Sequence, residues 1–385
     1  MSAIYLDHNA TTPVHPDAVA AMAACLSAEA GNPSSLHRFG RAAARLRDQA
    51  RAQVAAAVGC APEEVTVTSG GTEADNLALR GVAGARRGHL VTVATEHEAV
   101  LQTAEDLEHS GARVSVVPVD GEGRVDPARI AAAIEEDTCV VSVMAANNET
   151  GVAAPLAAIG EICRSRGVLF HTDAVQFFGK LPFRFADLPV DLASISAHKI
   201  GGPKGIGALL VRSGIEVAPV LTGGSQERRR RPGTENLPGM AGFGTAAEIA
   251  ARDLSAEIPR LAGLRDELER GILRIMPEAR INGRGALRLP NTSNVSFPGL
   301  EGESLMIALD LEGIAVSTGA ACNAGASAPS HELRAMGRSR EDAAASLRFS
   351  IGRTTGPADI ERALVALDRV VTRARAASAA TQPGE

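Results

Sequence analysis

VTVTSGGTEADNLALRGVAGARRGHLVTVATEHEAV, residues 65–100, decides the fold. It opens on a short β-branched run, passes through Ser69, Gly70, Gly71 and Thr72 into a helical pattern, and returns to a second β-branched run at 90–95. That run ends in Glu96 and His97 and leads into another helical stretch. Strand, helix, strand, helix in this order predicts a parallel sheet covered by helices, because each crossover must return the chain to the same edge.

The alternation continues outward. Further strands are predicted at 114–119, 139–145, 168–174, 192–197 and 208–211, with helical segments such as 71–85, 100–109 and 155–167 between them. The expectation is an α/β fold: a mostly parallel, seven-stranded sheet in a large domain spanning 15–255. From about residue 256 long helices dominate, predicting a smaller α+β domain built from 1–14 and 256–385. Its last helix starts near Pro357 and places Ile360, Leu364, Leu367 and Val371 on one face. The terminal ASAATQPGE reads as a frayed tail.

Bulk properties narrow the function classes. The 385 residues carry 39 basic and 45 acidic side chains, a net charge of −6, which argues against a nucleic-acid footprint over the whole chain. No apolar run approaches the ~18 residues that span a bilayer, and MSAIYLDHNATTP lacks a basic and then apolar leader; no membrane association and a cytoplasmic address are expected. Five scattered cysteines do not make a disulfide framework or a zinc-site pair. Cys25, Cys60, Cys139 and Cys163 are expected to be buried small hydrophobes.

Ligands of open α/β sheets bind beyond the carboxyl ends of the strands. Five strands here end in polar residues: Ser69 to Thr72, Glu96 with His97, Asn147 with Asn148, Asp173 with Gln176, and Ser196 with His198 and Lys199. Together they describe one polar pocket. SGGT at a strand-to-helix junction offers backbone N–H groups to a phosphate, or is a plain glycine turn. Asp173 is either a strand-end cap or a carboxylate for a pyridine nitrogen. His97 is a satisfied loop histidine or a ring stacked on a flat cofactor. Lys199 is a solvated lysine or an amine held for an aldehyde, the latter favoured by its apolar strand and by the shaped Gly201, Gly202, Pro203 loop. His171 and Asp173 face the same way, but no third ligand has metal-site spacing. GPKGIG at 202–207 leads into a strand, which removes it as a dinucleotide fingerprint.

The motifs YLDHNATTP (5–13), GNPSSLHRFG (31–40), TSGGTEADNLA (68–78), TEHEAV (95–100), NNETGV (147–152), HTDAVQ (171–176), SAHKIGGPKGIG (196–207), RRPGTENLPG (230–239), STGAAC (317–322) and LRFSIGR (347–353) resemble, in order and over nearly the whole chain, the class V aminotransferase superfamily and within it the NifS/IscS-like cysteine desulfurases. The resemblance implies pyridoxal 5'-phosphate (PLP) as cofactor, the PLP-dependent transferase fold type I, and a homodimer. It makes Lys199 the Schiff-base lysine, His97 the ring-stacking residue and Asp173 the partner of the ring nitrogen. Gln176 and Asn148 match contacts to the ring hydroxyl and its neighbours. Gly71, Thr72, Ser196 and His198 match the phosphate cup, completed by Thr234 from the other subunit. Arg353 matches the clamp on the substrate carboxylate. Asn32, Ala10 and Thr11 match the segments that close over substrate.

Cys322 separates the reaction from others on the same scaffold. It lies in AACNAGASAPS, a stretch of small residues read either as a tight connection or as a mobile arm, about 318–332, carrying a thiol. The resemblance implies a cysteine desulfurase: L-cysteine held by Arg353, its α-proton removed by Lys199, and its sulfur taken by Cys322 as a persulfide, with alanine released and His97 moving protons. The sulfur would pass to an iron–sulfur scaffold or a thiolation carrier, and Cys322 is a candidate transient cluster ligand; no resident metal is expected. A selenocysteine lyase or other PLP-dependent C–S lyase is the alternative enzyme, and a non-enzymatic sulfur-relay scaffold a third reading. Two features depart from the pattern: bulky Phe177 and Phe178 after Gln176, and the run Arg228 to Arg231, read as a solvated turn or an anion-steering patch.

Overall fold

A computed structural model describes residues 3–27, 31–84, 88–318 and 329–381. Its strands are β1 (Ile4–Tyr5), β2 (Val65–Thr68), β3 (His89–Val93), β4 (Arg113–Val117), β5 (Thr138–Ser142), β6 (Leu169–Asp173), β7 (Leu192–Ser196), β8 (Gly207–Val211), β9 (Arg280–Asn282), β10 (Thr292–Ser296), β11 (Ile314–Ala315) and β12 (Ser346–Ser350). The seven predicted strands are β2 to β8, and they form one sheet in the order β2-β8-β7-β6-β5-β3-β4. Neighbours from β4 to β7 are parallel, while β8 runs antiparallel to both β7 and β2. The mixed α/β expectation stands.

The ends differ from the sequence reading for local reasons. Pro118 has no N–H to donate, so β4 stops at Val117. Past β5 the chain stays extended, with Val143 and Ala145 N–H donating to the carbonyls of His171 and Asp173. The segment 71–85 is a helix over Gly71–Leu79 followed by a wider turn at Arg80–Gly84. The last helix, Pro357–Thr381, continues into the stretch read as a frayed tail.

β3, β5, β7 and β8 are buried along their whole length, as strands covered on both faces must be. One apolar cluster packs Val54, Val58, Phe170, Ile195 and Phe243 on one side of the sheet; another gathers Leu77, Leu79, Val100, Leu107 and Leu192. A separate cluster joins Ile4 and Leu6 to Leu268, Ile272, Phe297, Leu347, Phe349 and Leu367 around the antiparallel sheet β12-β10-β9. The helix Leu237–Ile275 ties the two regions: Met240, Phe243 and Ala247 belong to the large core, Leu261, Leu264, Leu268 and Ile272 to the other. Position 255 lies inside that helix rather than in a linker.

Phe177 and Phe178 pack edge-on against Phe183, at centroid distances of 6.1 and 6.3 Å, so core volume absorbs their bulk. Cys139 and Cys163 are buried, whereas Cys25 and Cys60 are only half-buried, a correction to the expectation for those two. Burial pushes the Cys60 and Cys163 thiols up to about 12, which makes both poor nucleophiles at neutral pH.

The arginine run is not merely a solvated turn. Arg231 pairs with Glu73 at 2.9 Å, and Arg230 reaches the carbonyl of Ile215. Glu227, Arg228 and Arg229 all have positive φ, of 45°, 56° and 67°, a conformation that costs a non-glycine residue about 1–2 kcal/mol. What holds them there is a bidentate pair between buried Arg51 and Glu227, at 2.7 and 2.6 Å. The same two side chains cap the outer edge of β2: Arg51 donates to the Val65 carbonyl at 2.7 Å, and Glu227 accepts from Val67 N–H at 2.9 Å. Arg51→Ala strands a buried carboxylate and an edge carbonyl together. It is expected to cost about 3–5 kcal/mol, read as a lowered denaturant midpoint; a midpoint within error of the parent would show the pair to be dispensable.

Candidate functional site

The sheet changes direction of growth between β3 and β5, since the chain adds β4 beyond β3 but β6 and β7 beyond β5. A crevice at the carboxyl ends of these strands is the expected ligand position. His97 follows β3 and caps the helix Glu98–His109, its Nδ1 accepting from Ala99 N–H at 3.0 Å. Asn148 follows β5, Asp173 closes β6, and Ser196 and Lys199 sit at and just beyond the end of β7. Gly71 opens the helix Gly71–Leu79; a Cβ there would meet Val175 at 2.7 Å, so only glycine lets the helix start this close to the β6 loop. Thr72 lies exposed in the same first turn.

The centre of the cluster is a residue that sequence reasoning passed over. Asn9 accepts from Lys199 Nζ at 2.5 Å and from Gln176 Nε2 at 2.9 Å on its carbonyl, and from Lys180 Nζ at 2.8 Å on its side-chain oxygen. Its own Nδ2 donates to the Asn148 carbonyl at 3.1 Å. Lys199 also donates to the Ala10 carbonyl at 2.9 Å, and Thr11 Oγ1 lies 3.1 Å from His198 Nδ1. The N-terminal DHNATT segment therefore fastens Lys199, Gln176, Asn148 and His198 to one another. Burial first, then the charges of Lys199, Lys204 and Lys180, lower the His198 imidazole to about 4, so it is neutral at physiological pH.

Asp173 is buried, and burial raises its carboxyl; the side chains of His97 and Lys199 and the Val175 N–H oppose that rise. Two more acids missed as site residues, Asp75 and Glu96, are fully buried behind it, and burial followed by the charge of Asp173 pushes both well up. His171, once weighed as a metal ligand, is instead a core group bonded to Ser142 at 2.8 Å and Ser194 at 3.1 Å, 3.6 Å from Asp75. Burial lowers it to about 3.

A cavity of about 230 Å³ opens beside Lys199, lined by His8, Thr12, Lys180, Lys199, Asn291 and Arg353 among others; His97, Asp173 and Thr72 are not in its wall. Arg353 pairs with Asp253 at 2.6 Å, and Arg252 and then Arg353 hold that carboxyl down to about 2. Asn32 turns on itself, its Oδ1 accepting from Ser34 N–H at 2.9 Å; among the described residues its hydrogen bonds do not reach the cluster. Thr234 is exposed beside Gly233. Cys322 lies outside the described residues, but both flanks of its segment are placed. Ser317 pairs with Arg348 backbone to backbone, and Arg348 Nη1 donates to the Asn148 carbonyl at 3.2 Å. On the other flank, His331 Nε2 lies 2.9 Å from the Glu96 carbonyl, and the Ser330 hydroxyl donates to Glu149 and Glu332.

The family of this architecture is decided by comparison. The aminotransferase class-V pattern matches residues 4–363. The chain belongs to the class-V aminotransferase family. Within that family it is 46% identical over 382 residues to a cysteine desulfurase of Cereibacter sphaeroides, covering 98% of both chains. A solved NifS-like protein superposes with a TM-score of 0.91 at 36% identity, over 96% of this chain and all of the other. SspA, solved in complex with cysteine, matches at 32% identity with a TM-score of 0.79, over 90% of this chain and 98% of the other. The class-V fold thus accounts for the strand-end cluster, and the relatives name sulfur removal from cysteine as their chemistry.

Proposed function

We propose that this chain is a PLP-dependent cysteine desulfurase, active as a homodimer in the cytoplasm, that converts L-cysteine to L-alanine and leaves the sulfur on Cys322 for an acceptor serving iron–sulfur assembly or thiolation. The observation that carries this reading is that both flanks of the Cys322 segment bond, directly or through Arg348, to Glu96, Asn148 and Glu149, which follow β3 and β5 in the same sheet whose β6 and β7 lead into Asp173 and Lys199. Cys322 is five residues from Ser317, at most about 17 Å of extended chain.

The residues fit the cofactor. Buried Ser196 Oγ and Asn148 Oδ1 have no hydrogen-bond partner among the described residues, which suits groups awaiting a polar ligand. Asp173, desolvated at the end of β6, is a carboxylate that would pair with a cationic ring nitrogen. Lys199 would hold the aldehyde, His97 would cover the ring, and Gln176 retains one amide N–H for the ring hydroxyl. Gly71, Thr72, Ser196 and His198 would take the phosphate, with Thr234 from a second copy. When bound, PLP supplies an electron sink for the α-carbon of the substrate.

This chain's own residues do the rest. Arg353, swung from Asp253, binds the substrate carboxylate in a bidentate fork. Lys199 Nζ takes the α-proton, and His97, at a helix start, passes a proton to or from the substrate. Cys322 Sγ, as a thiolate, would attack the substrate sulfur; the S–S bond forms as the Cβ–S bond breaks, the electron pair stays on the substrate carbon, and a proton delivered there completes alanine while the sulfur remains on Cys322 as a persulfide. The two cores suggest that 1–14 and 256–385 act as one domain and 15–255 as the other, with the crevice between their contributions.

Purified protein loaded with PLP and given L-cysteine is expected to release one alanine for each sulfur recovered with a thiol acceptor. Cofactor uptake without alanine would defeat the proposal.

A further inference from the structure

Lys180 is a buried cation of the described site and has no part in the chemistry above. The residue is 7% exposed, and its Nζ donates to Asn9 Oδ1 at 2.8 Å and to Gln176 Oε1 at 2.5 Å. Both partners are amide oxygens, which accept from an ammonium but neutralise nothing. Lys199 hangs from the carbonyl of the same Asn9, and the two lysines share the cavity wall. We propose that Lys180 is a positioning residue for Lys199: it pins Asn9 and Gln176 through its two hydrogen bonds and sets a second amine on the same asparagine, so that a proton on one disfavours a proton on the other.

The surrounding groups leave this charge uncompensated. Arg348 and Lys199 both repel the Lys180 proton, and burial opposes it first; its ammonium form is pushed well below the usual lysine range. His8, which faces Lys180, is lowered to about 4 by burial and then by that lysine, so it brings no counter-charge. His198 is neutral for the same reasons. Asp173 acts on Lys199 rather than on Lys180, and His97 stands beside Asp173. His15, Glu257 and Arg353 line the outer cavity, where Arg353 is already paired with Asp253. Two amines around one asparagine therefore titrate as a pair, and whichever holds the proton lowers the other's affinity for it.

The inference rests on the proposed cofactor, whose visible absorption band reports the protonation of the nitrogen at Lys199. The test is a pH titration of that band in the loaded full-length dimer of the parent, Lys180→Met, Lys180→Gln and Lys180→Arg. Loss of the neighbouring cation is expected to raise the midpoint by about one pH unit or more in both Lys180→Met and Lys180→Gln. Lys180→Arg, permanently charged, is expected to keep the midpoint at or below the parent's. Glutamine keeps a hydrogen-bond donor without the charge, so parent-like behaviour of Lys180→Gln would reduce Lys180 to a structural tie and overturn the proposal. Unchanged titration in Lys180→Met would do the same. Should that variant not take up cofactor, a raised midpoint in Lys180→Arg alone overturns it. A parent protein that never develops the band fails the cofactor reading itself, a separate outcome.

Discussion

Lys199→Ala is expected to slow alanine formation from cysteine by about a thousandfold or more, within the range that loss of a catalytic proton-transfer group produces. The side chain stands at the end of a fully buried strand, in a turn held by Asn9 and Ala10, so its amine is delivered to one place rather than sampled from solvent. Lys180 cannot replace it. Its own Nζ is tied to Asn9 Oδ1 and Gln176 Oε1. The fold should survive, because replacing lysine by alanine in a 3₁₀ turn at the crevice removes no core volume. The variant is therefore expected to melt with the parent, to lose the pH-sensitive visible band, and to show alanine only at the blank rate. Alanine formation within tenfold of the parent would mean that another amine carries the reaction.

Much of this arrangement was legible in the chain because α/β sheets put polar residues beyond apolar strands, and five of the seven strands here end in a distinctive residue. His97, Asp173, Ser196 and Lys199 follow runs so apolar that their polarity stands out. What was not legible lies in residues whose partners are distant in sequence. Asn9 sits in a motif that marks the N-terminal segment, yet its bonds run to Asn148, Gln176, Lys180 and Lys199, and no periodicity foretells them. Asp75 appears as an ordinary helix residue; only the packing of its helix on β6 and β7 sets it beside Asp173. The pair of Arg51 and Glu227 joins positions 176 apart, and this is why an arginine-rich run that looks solvated is locked to a sheet edge. The long helix Leu237–Ile275 contains Pro259, a residue that removes a ladder hydrogen bond and usually kinks or ends a helix. In the structure the helix carries through it and serves two cores in turn.

The second large effect concerns the thiol. Cys322→Ala removes the sulfur acceptor without touching the residues proposed to bind the cofactor or the substrate carboxylate. It is expected to keep the visible band and its titration, and to lose alanine formation by about a hundredfold to ten thousandfold, because an amine and a carboxylate clamp leave the carbon–sulfur bond without an attacking group. Serine at 322 should do no better, since a hydroxyl neither ionises near neutral pH nor attacks sulfur well. The half-buried and buried thiols do not substitute. Cys60 and Cys163 are pushed up to about 12, and both pack into or against the large core.

The most direct measurement follows sulfur itself. Loaded protein is given L-cysteine labelled at sulfur, without reductant, then alkylated, digested and weighed peptide by peptide. One labelled sulfur atom on the peptide carrying Cys322, in step with the alanine formed and absent from the Lys199→Ala variant, is the result expected. Alanine accumulating while that peptide stays unlabelled would contradict it.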